Sequence, residues 1–200
     1  MPKGTASCLL FAIFLFNIYS CSSDGDCSQV LEPIGNEFTY NCNRYAIELG
    51  QLSINRPGPD YEPPTTSCKL QFVNNENGNG FYFEEGLDTN INLVDIWLTI
   101  PTESARSDEI PEGTYTLNKN YEGPYREFDI VHSNRVIIGS SIEDNYFVDY
   151  KKNLGSIYDD LVVTVAKIDN QYEIEYTMVF EGKTIKGYFK GALSVVDNWA

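Results

Sequence analysis

The stretch from Leu161 to Val196 limits the fold more than any other. Apolar and polar residues alternate there with a period of two, broken only at Asp169-Asn170 and Glu181-Gly182. Successive side chains of an extended chain point to opposite faces, so this period marks a half-buried strand. The two breaks hold residue types that tolerate positive φ, as two-residue hairpin turns require. The segment therefore predicts three antiparallel strands, Leu161–Ile168, Gln171–Phe180 and Lys183–Val196. Tyr172, Ile174, Tyr176, Met178 and Phe180 share the inner face of the middle strand. Ile185, Gly187, Phe189, Gly191 and Leu193 share that of the last. Two glycines on an inner face predict sharp curvature or close approach of another part of the chain.

The same period recurs upstream. Phe38, Tyr40 and Cys42 alternate with polar residues, then Tyr45, Ile47 and Leu49, with Gly50 read as a bulge or turn before Leu52 and Ile54. Four prolines between Arg56 and Pro64 exclude helix and central strand and predict a surface loop. Cys68 to Val73 is the next strand, and the Asn74–Gly80 stretch a turn. Ile91–Ile100 puts Val94, Ile96, Leu98 and Ile100 on one face and Asp95, Trp97 and Thr99 on the other. Pro101 to Pro111 has room for one helical turn. Phe128–His132 and Val136–Ile138 read as a hairpin about Ser133-Asn134, and Tyr146, Val148 and Tyr150 alternate after it. About ten strands with no sustained helix predict an all-β domain, an antiparallel meander forming a barrel or sandwich.

The N-terminus has a different character. Lys3 precedes an apolar run, Cys8 to Phe16, too short for the roughly 20 residues of a membrane-spanning helix but right for a signal peptide. Ser20-Cys21 at the end of that run resembles the bacterial lipobox. The resemblance implies a signal peptide over residues 1–20 and acylation at Cys21, hence attachment to a membrane through lipid. Ser22, Ser23, Asp24 and Asp26 resemble the export signal of Bacteroidetes-type surface lipoproteins, which implies the outer membrane and its external face, the periplasmic face being the alternative. Residues 21–35 lack apolar alternation and read as an acidic tether, spanning up to about 50 Å if extended. The single β-domain then covers residues 36–200. Removal of residues 1–20 takes one lysine and no acid, turning the net charge of −15 into −16. Such a surface repels polyanions and excludes nucleic acid as a partner.

The C-terminal run Tyr172-Glu173-Ile174 through Gly182-Lys183-Thr184-Ile185-Lys186-Gly187-Tyr188-Phe189-Lys190-Gly191, with Gly113-Thr114-Tyr115-Thr116 upstream, resembles small Bacteroidetes lipoproteins of calycin-like, or lipocalin-like, type. The resemblance implies the fold and no particular activity.

Residues able to carry chemistry are sparse. His132 is the lone histidine and has no glycine-flanked serine elbow to serve, so no catalytic group is assigned and no enzyme expected. Adjacent acids such as Glu84-Glu85 and Asp159-Asp160 point to opposite faces of a strand and make no glycosidase pair. Asn75, Asn77 and Asn79 before Gly80 mimic the opening of a calcium loop, but Gly86 stands where its glutamate is needed. Zinc would need three cysteines and His132 to converge from four segments, so no metal or cofactor is expected. Cys42 and Cys68 each fall on an apolar alternating face, as a disulfide or as two buried thiols. Trp97, Tyr121, Tyr125 and Tyr146 lie off the clearest core faces or in loops, which makes them the ligand-contacting candidates. The expected function is a non-enzymatic binding lipoprotein for a small apolar molecule or a glycan, with an accessory role beside an envelope protein partner as the alternative.

Overall fold

A computed structural model describes residues 29–55, 64–74, 90–120, 125–131, 134–143, 146–155 and 158–196. These residues form fourteen strand segments and one short helix. In chain order the elements are β1 (Glu37–Tyr40), β2 (Asn43–Ala46), β3 (Leu49–Ile54), β4 (Thr65–Val73), β5 (Ile91–Pro101), α1 (Thr102–Arg106), β6 (Gly113–Leu117) and β7 (Asp129–Ile130). They continue as β8 (Arg135–Glu143), β9 (Tyr146–Val148), β10 (Lys152–Leu154), β11 (Asp160–Ile168), β12 (Gln171–Phe180), β13 (Lys183–Gly191) and β14 (Ser194–Val196). The all-β class follows from the sequence as read, and so does the single helical turn after Pro101.

The strands make one curled, mostly antiparallel sheet in the order β14-β3-β4-β5-β7-β6-β11-β12-β13-β1-β2. Its two ends meet. Between β2 and β3 the Ile47 N–H donates to Asn36 O (2.8 Å) and the Glu48 N–H to Val73 O (2.9 Å), so one continuous run passes from the β1 side to the β4 side. Likewise β14 follows β13 after only Ala192 and Leu193 and pairs in parallel with β3. The last strand was expected as one piece to Val196. It breaks because its first half serves β12 and β1 and its second half crosses to β3.

The C-terminal hairpins form as read. Asp169, Asn170, Glu181 and Gly182 all have positive φ, from 50° to 73°, as the two-residue turns between twisted strands demand. Aromatic rings pack together on the inner face. Phe72 stacks on Tyr176 at 5.5 Å between ring centroids and meets Phe189 at 5.3 Å. Phe38, Leu70, Ile96, Tyr115, Ile174 and Ile185 complete the same buried cluster. At one end of the sheet the segment after α1 closes over this core: Tyr115 Oη donates to Pro111 O (2.9 Å), and the Ile110 N–H donates to Tyr172 Oη (3.3 Å).

Three expectations need correction. Gly50 is neither bulge nor turn. It pairs regularly with Phe72 inside β3, and a Cβ there would meet the Phe189 ring at 2.6 Å, so the glycine makes room for that ring. β7 and β8 are not a hairpin, since both lie antiparallel along β5, through Leu98↔Ile130 and Leu93↔Ile137. Asn134, fully buried between them, holds the gap: its Oδ1 accepts the Trp97 N–H at 2.7 Å and its Nδ2 donates to Val131 O. Cys42 and Cys68 are not bonded to each other. Cys68 is a free, fully buried thiol, whereas Cys42 is disulfide-bonded to a residue outside those described. Asn41 (φ 48°) and Cys42 (φ 58°) are the two centre residues of the β1–β2 turn, which removes Cys42 from the inner face of Phe38 and Tyr40.

Candidate functional site

Two polar features lie on the outside of this wall. The first is a pocket of about 200 Å³ lined by Glu32, Pro33, Glu175, Tyr176, Thr177, Lys186, Gly187 and Tyr188. The outward residues of β12 and β13 build its floor through the register Glu175↔Tyr188 and Thr177↔Lys186. The chain before β1 supplies its wall. Residues 29–36 lie along the sheet as a strap. Thr39 Oγ1 donates to Leu31 O (2.8 Å), Lys186 pairs with Glu32, and Asn36 clamps the Lys190 backbone, accepting its N–H at 2.7 Å and donating to its O at 3.0 Å. The segment read as tether is thus held on the domain from Gln29 onward.

Charge in the pocket is mixed. Tyr188 Oη donates to Glu173 Oε1 at 2.5 Å, and that bond to the charged carboxylate pushes the phenol up to about 12. Lys190 Nζ stands 3.7 Å from the other oxygen of Glu173. Glu175 has no hydrogen bond or ion pair among the described residues and presents its carboxylate to the pocket. The result is two carboxylates, one of them paired with an amine, a threonine hydroxyl and a half-buried tyrosine ring around one small volume.

The second feature is a buried polar row on the outer face of β3, β4, β5 and β8. The register Gln51↔Gln71↔Asp95↔Arg135 aligns four side chains across four strands. Gln71 Nε2 donates to Asp95 Oδ1 (2.9 Å) and Arg135 Nε to Asp95 Oδ2 (2.6 Å). Beside the row, buried Lys69 sits 5.8 Å from the Trp97 ring centroid. Burial lowers the Lys69 amine to about 8, a shift opposed by Asp95 and assisted by Arg135. A buried carboxylate hydrogen-bonded on both oxygens to side chains of two neighbouring strands is organised to hold those strands in register.

Of the candidates named from sequence, Trp97 is half-buried in the outer face next to Lys69, and Tyr125 is half-buried in the lead into β7. No ring contact joins them. The backbone of Tyr146 lies in β9, while its side chain lies outside the described residues, as do Tyr121, His132, Cys21 and the Ser22, Ser23, Asp24, Asp26 cluster. Among the described residues no group of three His, Cys, Asp or Glu is placed to hold a metal ion. The strap pocket went unnoticed in the sequence because its parts, Glu32, Glu175, Lys186 and Tyr188, are ordinary outward residues brought together only by the strap. Comparison with protein-family models, curated proteins and solved structures returns no match.

Proposed function

We propose that this chain is a membrane-anchored lipoprotein whose non-enzymatic β-domain binds one unit of a glycan in the strap pocket. The pocket carries the reading: about 200 Å³ holds a single sugar ring, and its lining matches what a sugar presents. Hydroxyls donate to the free Glu175 carboxylate and accept from Lys186 and Thr177, while the apolar face of the ring rests on Tyr188. An apolar cargo has less support, because the rings of Phe72, Tyr176 and Phe189 pack against one another on the inner face it would use. Saturation-transfer NMR with a panel of monosaccharides and short oligosaccharides tests the proposal. At least one sugar should give transfer to the wild type, and Glu175→Gln with Tyr188→Ala should weaken it tenfold or more. No transfer from any member of the panel, or transfer unchanged in the double variant, would sink it.

A further inference from the structure

The root of the strap carries a covalent feature. Cys42 is disulfide-bonded and Cys68 is free, so among five cysteines its partner is Cys8, Cys21 or Cys27. Cys42 Sγ lies 3.3 Å from the Gln29 carbonyl oxygen. Cys27 is only two residues from Gln29, a reach of at most about 7 Å of chain, so it can approach Cys42 to the 4.4–6.8 Å that the Cα atoms of a bridge span. Cys8 and Cys21 drop out on the lipoprotein reading, the first removed with the signal peptide and the second carrying its diacylglyceryl lipid on sulfur as a thioether. We propose that Cys27 is bonded to Cys42 and that this bond clamps the strap. The turn itself agrees. Cys42 has φ 58° at a position where glycine is favoured, and a bridged cysteine there has a reason to accept the cost. In forming the bond, two thiols release two protons and pass two electrons to a thiol–disulfide oxidant of the cell envelope.

The clamp has two consequences. Fixed at Cys42 by the bridge and at Lys190 by Asn36, the strap is held at both ends, so Glu32 and Pro33 stay in place as the pocket wall. The strap's hold also becomes redox-dependent, since reduction of the bridge releases one of its two ends.

The test uses the full chain extracted from membranes in detergent without reductant, alkylated, digested and weighed. The Cys27 and Cys42 peptides should run as one linked species about 2 Da lighter than their sum, with Cys68 alkylated only after denaturation and Cys21 acylated. Cys42 linked to Cys21 or Cys8, or alkylated in the native protein, would overturn the clamp. A Cys27–Cys42 link with no lipid on Cys21 would leave the clamp standing and remove the lipoprotein reading. Cys27→Ser, or mild reduction of the folded wild type, should speed amide exchange at Ile34 and Lys190 tenfold or more, leaving β11 unchanged. Exchange equal to that of the oxidised protein would overturn the clamp's hold on the strap.

Discussion

A Cβ built on Gly187 would lie 1.9 Å from Cζ of Tyr176 and 2.3 Å from its hydroxyl. The two residues face each other across β12 and β13, and the tyrosine ring lies over the glycine with Phe72 on its other side. Gly187→Ala must push that ring into a packed core, so it should lose about 3 kcal/mol in urea unfolding. Among the described residues the buried Tyr176 hydroxyl has no hydrogen-bond partner, and Tyr176→Phe should therefore be neutral or stabilising in the same assay. A large loss in the second variant would mean that the hydroxyl is satisfied after all. The inward glycines were legible from the alternation of β13. That Tyr176 covers Gly187 was not, because the ring's direction depends on Phe72, a hundred residues earlier in the chain. Cys42 makes the converse point: its alternation with Phe38 and Tyr40 suggested the core, and a two-residue turn reversed its phase.

β4 and β5 are buried on both faces, although their sequences read as half-exposed. Lys69, Gln71, Asp95 and Thr99 occupy the second face, and charge is tolerated there because partners come from adjacent strands. Removing the central acid takes away the buried carboxylate that Gln71 and Arg135 bond, and with it the negative charge nearest the buried Lys69 amine. Asp95→Ala should therefore cost about 3 kcal/mol, the low end for a broken buried pair. Equilibrium unfolding in urea reads this directly, and a loss below about 1 kcal/mol would mean the row is solvated. The same strands explain the missed hairpin. Two strands end to end along β5 and a hairpin have the same local pattern, and only the buried Asn134 side chain chooses between them.

The whole sheet runs back into itself through the β2–β3 and β13–β14 junctions, so its tyrosines and Lys69 share one cooperative unit. Their titration predicts an alkaline stability profile. Lys69 is depressed to about 8 from 10.5, so between those values the unfolded chain binds more protons and stability rises with pH. Tyr115, Tyr158, Tyr176 and Tyr188 are raised above 10.0, the first three by burial and Tyr188 by its bond to Glu173, so above about pH 10 the unfolded chain loses protons first and stability falls. Urea midpoints between pH 7 and 11 should pass through a maximum near pH 9 to 10, and Lys69→Met should abolish the rising limb. A monotonic fall from pH 7 in the wild type would contradict the burial of Lys69.

Sequence alone determined the class of fold, the C-terminal hairpins with their turns and the inner face of most strands. All of these are local: a period, a turn pair or a short run carries them. Tertiary structure alone decided which strands close the sheet, what Tyr176 and Phe189 pack against, that Cys42 and Cys68 stay apart, and that a strap lies over β12 and β13. Each of these depends on residues far apart in the chain, joined by packing and hydrogen bonds that leave no periodic trace. The candidate pocket belongs to the second kind, since its floor is two outward strand faces and its wall is the stretch that read as a tether.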